Sequence, residues 1–226
     1  AHPLQFFDSI DSTNIRAKLE AEQGAESGLL VVSDMQSAGR GRRGRGWESP
    51  AGINIYYTLM LKPDFSSDCA PMLTLVMALA VAKGIRQTLR RDSEEVAAKV
   101  CIKWPNDIVV DGKKVCGILT EMSMEQGYIQ HIVIGVGINV RKQEFPEEIR
   151  DRAAAIDEQC GFRISRSQLI ADIMEAFEED YEIFLQTHDL KGLRASYEEL
   201  LVNQDREVCV LDPKGEYRGI ARGIND

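Results

Sequence analysis

The segment from residue 100 to residue 140 restricts the fold most strongly, because short strand patterns follow one another in it with tight connections. Apolar and β-branched residues dominate four stretches, at residues 100–103, 107–110, 115–122 and 128–140. Asp111-Gly112 separates the second stretch from the third, and this dipeptide favours a two-residue hairpin turn. Antiparallel neighbours need only such short turns, whereas parallel strands need a long crossover. The segment therefore predicts a mixed or antiparallel sheet.

Helix patterns on both sides of this segment predict an α+β fold in which helices flank the sheet. We expect helices at residues 14–22, after Ser12 and Thr13, at 70–91, from the Ser165-x-x-Gln168 capping box toward residue 186, and at 190–201. Further strands are predicted at residues 29–33 and 53–61, and at 207–211 and 217–221 on either side of a turn at 212–215.

Residues 39–47, which we call the glycine–arginine segment, are the most unusual part of the chain: Gly-Arg-Gly-Arg-Arg-Gly-Arg-Gly-Trp. They contain G-x-G-x-x-G, but a dinucleotide site needs a helix that begins at these glycines, and no helix pattern follows. The glycines predict flexibility, and the four arginines must face water or an anion. We expect a flexible loop that closes over a phosphate-bearing ligand. A disordered surface loop and an RNA-binding arginine–glycine segment remain alternatives.

A second motif lies between two predicted strands and consists of Lys103-Trp104-Pro105-Asn106-Asp107. Pro105 fixes its own φ and favours an extended Trp104, which predicts a rigid corner carrying a cation, an amide and a carboxylate. Such a corner suits a nucleotide site, although a buried Trp in a polar turn is the structural alternative. Lys114 and Gly117 follow nearby, and residues 135–139, Gly-Val-Gly-Ile-Asn, end a strand with small residues that also suit close strand packing.

The charge and composition exclude several classes of function. The net charge of −9 argues against general nucleic-acid binding, which needs a basic surface. Acidic residues are concentrated in residues 171–207, where we expect the solvated face of two helices. The five cysteines and three histidines show no disulfide or metal-ligand spacing. The longest apolar stretch, residues 72–82, is shorter than the ~20 residues of a membrane span, and no secretory signal is visible. We expect a cytoplasmic protein without membrane or nucleic-acid partners.

These motifs together resemble the biotin protein ligases. The resemblance rests on Asp11-Ser12-Thr13-Asn14, on Gln36-Ser37-Ala38 before the glycine–arginine segment, on residues 103–107, on Lys114 with Gly117-Ile118-Leu119, and on residues 135–139. In this family, biotin and MgATP form biotinyl-5′-AMP with release of pyrophosphate. A lysine of the biotin carboxyl carrier protein of a biotin-dependent carboxylase then attacks this anhydride.

The resemblance assigns roles to individual residues. It implies that biotin is contacted by Ser12, Thr13, Asn14, Gln36, Gly39, Arg40, Lys114, Gly117, Ile118 and Leu119. It implies that ATP and the adenylate are contacted by Arg42, Arg43, Arg45, Trp47, Lys103, Asn106 and Asn139. The catalytic candidates are Arg42, Lys103, Asp107 and Lys114. Our hypothesis is that Asp107 orients the incoming lysine and accepts its proton, whereas the structural alternative is a turn cap. No protein side chain is assigned to a metal, and Mg²⁺ is expected to enter with ATP.

The resemblance also predicts the domain organisation. It implies a catalytic domain at residues 1–202 and, at residues 203–226, only the opening strands of a C-terminal SH3-like module. Some members carry an N-terminal helix-turn-helix and act as repressors. Because the signature here begins at Ser9, we do not expect this chain to act as a DNA-binding repressor. A homodimer is a further expectation. The alternatives in function are a lipoate-type ligase and a biotin- or RNA-binding module without catalysis.

Overall fold

A seven-stranded mixed sheet forms the centre of the fold in the computed structural model, which describes residues 2–212 and 215–225. Its strands are β1 (Leu4–Phe7), β2 (Leu29–Ser33), β3 (Ile55–Leu61), β4 (Val100–Lys103), β5 (Asp107–Val110), β6 (Lys113–Glu125) and β7 (Tyr128–Ile138). Their order across the sheet is β1-β2-β3-β7-β6-β5-β4. Strands β1 and β2 are parallel and the other neighbours are antiparallel. The predicted α+β class with a mixed sheet is confirmed.

The helices lie on both faces of this sheet. They are α1 (Thr13–Glu22), α2 (Met72–Arg90), α3 (Glu94–Ala97), α4 (Ile156–Cys160), α5 (Arg166–Thr187) and α6 (Arg194–Leu200). The long apolar helices α2 and α5 build the main core together with one face of the strands. Gly84 makes their close approach feasible, because a Cβ at this position would lie 2.5 Å from Cγ1 of Ile173 on α5.

Helix α1 covers part of the opposite face of the sheet over a smaller core. This core contains two residues of α1 and four strand residues: Ala17, Ala21, Leu29, Val31, Met60 and Val133. Side chains alternate between the two faces along a strand, so Gly135 and Gly137 lie on the same face as Val133. The glycine-rich end of β7 therefore lies on the α1 face, beside the N-terminus of α1.

The predicted hairpin is present at the predicted residues. Asp111 and Gly112 have φ of 50° and 76°, the positive values that a two-residue turn of this type needs at both positions. The strand predicted at 29–33 has the predicted bounds, and the helix predicted at 70–91 begins later, after a short 3₁₀ turn at Ser67–Cys69. The sequence analysis missed β1, α3 and α4, each of which has at most five residues.

The apolar stretch in α2 is longer than the sequence analysis assumed. Residues 67–90 are long and apolar enough to cross a membrane by length and composition, with a mean hydropathy of 1.5 over the most apolar window. Most of that window, 61%, is buried inside the protein. Its position against the sheet and α5 is that of a core helix.

The acidic segment at residues 171–207 is only partly a solvated face, which corrects the prediction. Asp172 and Asp180 of α5 are buried, with 2% and 0% exposure. Asp172 accepts a hydrogen bond from Arg91 at 2.9 Å, and Asp180 accepts one from Lys83 at 2.5 Å. Burial raises the pKa of Asp180 despite the contact with Lys83. Asp180 thus links α5 to Lys83 within α2, and Asp172 links α5 to Arg91 at the C-terminal end of α2.

A separate two-stranded sheet follows α6. It consists of β8 (Glu207–Asp212) and β9 (Gly215–Ile220), which pair antiparallel. The predicted turn at 212–215 includes Pro213 and Lys214, which lie outside the described residues. After β9 the chain returns to the main core through Ile224, whose backbone nitrogen donates to Glu198. The boundary at residue 202 and the SH3-like character of the hairpin stay predictions.

Candidate functional site

The glycine–arginine segment is a closed hairpin that stands on the α1 face of the sheet. The backbone nitrogen of Trp47 donates to the carbonyl of Gly39 at 2.9 Å, and that of Gly41 donates to Arg45 at 2.8 Å. Arg43 has a φ of 59°, which reverses the chain at the tip. A disordered surface loop, one alternative from the sequence, therefore does not describe this segment. We call it the arginine hairpin from here on.

The ring of Trp47 lies flat on two glycines of the sheet. A Cβ on Gly137 would lie 2.5 Å from Nε1 of Trp47, and one on Gly117 would lie 2.9 Å from its Cζ3. The two glycines face each other across β6 and β7. Nζ of Lys114 lies beside Gly117 and 5.4 Å from the ring centroid, within reach of a cation–π contact. Small residues at both positions thus create the space in which Trp47 and Lys114 meet.

The corner at residues 103–107 is joined to the arginine hairpin through one side-chain pair. Asn106 donates from Nδ2 to the carbonyl of Ile118 at 2.9 Å, which fastens the corner to β6. Its Oδ1 accepts a hydrogen bond from Nη1 of Arg42 at 2.8 Å. Trp104 is 55% exposed, so the alternative of a buried Trp in a polar turn is wrong. Two motifs that are distant in sequence therefore share one site.

A carboxylate and a lysine lie side by side under this junction. Oδ1 of Asp107 is 2.6 Å from Nζ of Lys114, and both side chains are about two-thirds covered. Lys103 pairs with Asp107 across β4 and β5 and exposes its side chain. The exposed Arg43 and Arg45 have no ion-pair partner in residues 2–212 and 215–225. The site thus combines free cations with one neutralised carboxylate.

The N-terminus of α1 contributes a set of buried polar side chains. Thr13 donates from its backbone nitrogen to Oε1 of Gln36 at 2.8 Å, and its hydroxyl lies 2.8 Å from that of Thr58. The Thr58 hydroxyl also donates to Oδ1 of Asn14 at 2.6 Å. Asn14 itself lies against β7, because a Cβ on Gly135 would collide with its Oδ1. The predicted residues Thr13, Asn14 and Gln36 therefore lie together: Gln36 contacts Thr13, and Thr58, a strand residue that was not predicted, bridges Thr13 and Asn14.

Three residues of this set were missed by the sequence analysis: Ser49, Thr58 and Glu121. Ser49 accepts from Gln36 Nε2 at 2.9 Å and donates to the carbonyl of Trp47 at 3.0 Å. Glu121 accepts from Asn14 and from Lys18, and it lies 3.5 Å from Arg40 of the arginine hairpin. The available signal was a polar residue inside an otherwise apolar strand, as in Ile-Tyr-Tyr-Thr-Leu-Met-Leu of β3. Together the six residues Glu121, Asn14, Thr58, Thr13, Gln36 and Ser49 form what we call the polar network.

One predicted pocket residue is on the wrong face of the sheet. Ile118 is 2% exposed and belongs to the main core under α2, whereas Gly117 and Leu119 lie on the α1 face. Its side chain cannot line the site, because neighbouring residues of a strand point to opposite faces. Only its backbone takes part, through the two hydrogen bonds with Asn106. The assignment of Ile118 to the biotin pocket is corrected accordingly.

Two further predicted residues occupy less accessible positions. Ser12 holds the N-cap position of α1 in extended geometry, but its side chain makes no capping hydrogen bond. Asn139 is 6% exposed, and its backbone joins Val115 and Ile156. No group of three His, Cys, Asp or Glu residues in the described part of the chain forms a metal site.

With the geometry described, comparison with known proteins identifies the family. The sequence profile of the Biotin/lipoate A/B protein ligase family matches residues 6–139, more than half of the chain. The chain belongs to this family. The matched range contains the arginine hairpin, the corner at residues 103–107 and the polar network, so these features are the ligase-family part of the structure.

Curated members of the ligase family are similar over almost the whole chain. The Bifunctional ligase/repressor BirA of Bacillus subtilis is 36% identical over 99% of this chain and 67% of its own length. The Biotin--[acetyl-CoA-carboxylase] ligase of Paracoccus denitrificans is 30% identical over 96% of this chain and 88% of its length. The chain thus spans about two-thirds of the repressor-type relative and most of the other.

Solved structures of the ligase family have the same fold. The biotin protein ligase of Aquifex aeolicus in complex with biotin and ATP superposes with a TM-score of 0.79. It is 28% identical, and the alignment covers 99% of this chain and 88% of that protein. The sheet with helices on both faces is therefore the catalytic fold of this family.

Proposed function

We propose that this chain is an ATP-dependent ligase that activates biotin and transfers it to a lysine of a biotin carboxyl carrier protein. The observation that carries the proposal is the junction of Arg42 with Asn106 above the Trp47–Lys114 contact. It places a hydrogen-bonding pocket and a group of cations next to each other on one face of the sheet. Similarity to the biotin--[acetyl-CoA-carboxylase] ligase of Paracoccus denitrificans and to the Aquifex aeolicus ligase in complex with biotin and ATP supports the same chemistry.

The polar network suits the ureido ring of biotin. This ring presents one carbonyl acceptor and two N–H donors, so a complementary pocket needs both kinds of partner in fixed positions. The hydroxyls of Ser12 and Thr13 and the amides of Asn14 and Gln36 supply them at the N-terminus of α1. Trp47, with Gly117 and Gly137 beneath it, offers an apolar surface for the rest of the molecule.

The cations suit the activation step. The biotin carboxylate oxygen attacks the α-phosphorus of ATP, and the bond from this phosphorus to the pyrophosphate oxygen breaks. Two anions must approach for this, so positive charge at fixed positions lowers the barrier. Lys114 lies beside Trp47, while Arg43, Arg45 and Lys103 are exposed and available to the triphosphate. Mg²⁺ is expected to enter with ATP.

Asp107 suits the transfer step. The acceptor lysine must lose a proton before its nitrogen attacks the carbonyl carbon of biotinyl-5′-AMP, and AMP leaves as the new amide forms. Asp107 carries a carboxylate beside Lys114 at 2.6 Å, close to the predicted anhydride. We propose that it orients the incoming ammonium and accepts its proton, as the sequence analysis suggested.

A homodimer through the edge of β6 is the second part of the proposal. Strand β5 pairs with β6 only as far as Gly117, so the remaining edge of β6 has no strand neighbour in the described structure. Met122 and Met124 on this edge are exposed by 41% and 43%. Open strand edges pair readily with a second copy. Sedimentation velocity with and without biotin and ATP tests this: a monomer at all concentrations contradicts it.

We propose a cytoplasmic location because the five cysteines are free and fit no disulfide framework, and no nucleic-acid partner because the net charge is −9. The domain division at residue 202, with an SH3-like module after it, is proposed on the resemblance and on the change to a two-stranded sheet.

Pyrophosphate exchange tests the main proposal. We expect exchange between ATP and labelled pyrophosphate that requires biotin and is absent with lipoate. Exchange with lipoate alone would indicate a lipoate-type ligase, and no exchange with either would indicate a binding module. Transfer of biotin to a purified carrier protein, detected by mass spectrometry, completes the test.

A further inference from the structure

Glu121 occupies the centre of the charges on the α1 face, although none of its contacts is required for the fold of β6. Oε2 accepts a hydrogen bond from Asn14 Nδ2 at 2.8 Å, and Oε1 accepts one from Lys18 at 2.8 Å. Arg40 of the arginine hairpin lies 3.5 Å from the same Oε1. Its side chain is 21% exposed. Glu121 thus touches α1 and the arginine hairpin at once.

The carboxylate of Glu121 stays ionised at neutral pH. Burial raises its pKa, but the hydrogen bonds from Asn14 and Lys18 and the charge of Arg40 outweigh this, so that the pKa lies below its ordinary value. An ionised carboxylate only accepts hydrogen bonds. The amide of Asn14 must therefore turn its NH₂ group to Glu121 and its carbonyl oxygen to Thr58.

This orientation sets the proton of Thr58. The residue is fully buried, and its hydroxyl has two neighbours, Oδ1 of Asn14 at 2.6 Å and Oγ1 of Thr13 at 2.8 Å. A hydroxyl has a single proton. With the Asn14 carbonyl facing it, Thr58 gives this proton to Asn14. Thr13 then donates its own proton to Thr58, because the 2.8 Å contact between the two hydroxyls needs one proton between them.

Thr13 therefore offers two free lone pairs and no proton to a ligand. An N–H donor, such as that of a ureido ring, finds an acceptor there. If Asn14 turned over, its NH₂ group would face Thr58, which would then donate to Thr13 and occupy one of these lone pairs. Asn14 packs directly against Gly135, where an added Cβ would collide with its Oδ1, so the amide has little room to move and its two flipped orientations are the relevant alternatives.

We propose that Glu121 is a positioning residue that sets the direction of the hydrogen bonds in the biotin pocket through Asn14, Thr58 and Thr13. The inference rests on the proposed function, because it names the recognition of a ureido-bearing substrate by that same site. Glu121 does not touch the reacting atoms. It acts on substrate affinity, whereas the cations around Lys114 act on the chemical step.

Glu121→Gln is the decisive variant, because an amide can present either a donor or an acceptor to Asn14 and so permits both orientations. We expect the KM for biotin, and the Kd for biotin from calorimetry, to rise about tenfold, since a mismatched buried hydrogen bond costs that much. The kcat of biotin-dependent pyrophosphate exchange and the KM for ATP stay within twofold. The affinity for desthiobiotin, which keeps the ureido ring and lacks the sulfur, should fall by the same factor in Glu121→Gln.

Glu121→Ala provides a second variant, for which we expect a larger loss of biotin affinity because Asn14 loses its acceptor altogether. Glu125→Gln is the matched control on the same strand, since Glu125 is exposed and its side chain accepts a hydrogen bond from Gln130, outside the polar network. A merely structural role would lower the melting temperature and impair ATP and biotin kinetics in parallel. An unchanged biotin KM in Glu121→Gln, with an active wild-type enzyme, overturns this inference alone. A wild-type protein without biotin-dependent exchange overturns the proposed function and the inference together.

Discussion

Gly137→Ala is the sharpest structural test of the site, because its consequence follows from one measured approach. The added Cβ would lie 2.5 Å from Nε1 and 2.6 Å from Cε2 of Trp47. Ordinary contacts of this kind begin at 3.4 Å, so the indole ring must move away from the sheet by about 0.9 Å. The strand cannot yield instead, because Gly137 is paired with both β3 and β6.

A shift of about 1 Å in a positioning group costs on the order of 10²-fold in rate, and we expect this loss in kcat/KM for biotin-dependent pyrophosphate exchange. Gly117→Ala should lose only about tenfold, because its Cβ would meet Trp47 Cζ3 at 2.9 Å and otherwise the mobile end of Lys114. Gly219→Ala in β9 is the control, since no atom lies within 4 Å of its Cβ.

The ranking of the three glycine variants by kcat/KM tests whether the position of Trp47 controls the rate. The reasoning fails if Gly137→Ala retains activity within threefold of Gly219→Ala, or if Gly117→Ala is the more damaging change. Thermal unfolding of each variant is measured to confirm that the assay temperature lies below its unfolding transition. A lower rate can then be distinguished from partial unfolding of the variant.

The remaining predictions concern the steps of the reaction and the stability of the fold. Lys114→Ala should lower pyrophosphate exchange by about 10²-fold while transfer from preformed biotinyl-5′-AMP is less affected; equal losses would argue against its role in activation. Asp107→Asn should slow transfer from preformed biotinyl-5′-AMP by about 10²-fold, measured by single turnover, and an unchanged rate would exclude it as the proton acceptor. Arg42→Gly breaks the 2.8 Å contact with Asn106, so biotinyl-5′-AMP should escape and label bystander lysines in a mixed-protein assay; unchanged retention would contradict this. Burial lowers the pKa of His131 below its ordinary value of 6.5, so the folded state favours the neutral ring. The stability that this provides is present above pH 6.5 and is lost as the pH falls below it. In denaturant titrations, His131→Leu should flatten this dependence of the free energy of unfolding on pH, and an unchanged pH dependence would refute the prediction.

The features predicted well from the sequence are those determined by neighbours in the chain. The turn at Asp111 and Gly112 follows from the need for positive φ at both positions, and the strand at residues 29–33 follows from its apolar run. Short elements such as β1 were missed because their few residues carry too little pattern and owe their geometry to pairing with a distant strand.

The arrangement of the site depends on contacts that no local pattern encodes. Arg42 and Asn106 are 64 residues apart, and their hydrogen bond arises because both segments contact β6, the hairpin through Trp47 at Gly117 and the corner through Asn106 at Ile118. Glu121 and Thr58 escaped prediction for the same reason, since their partners on α1 come from another part of the chain. Ile118, by contrast, could have been excluded from the sequence, because it alternates with Gly117 and Leu119 along one strand.

The cations of the site fall into two groups that suit different tasks. Arg40, Arg42 and Lys114 each contact a protein acceptor, on Glu121, Asn106 and Asp107 respectively. A cation with a protein partner is already held in place, so its contribution is to fix geometry. Arg43, Arg45 and Lys103 have no such acceptor in the part of the chain that the structure describes, and their charge is available to a ligand. The arginines that form one cluster in the sequence therefore fall into two groups with different partners in the fold. One group fixes side chains of the site in place, and the other leaves uncompensated charge that is available to an anionic ligand.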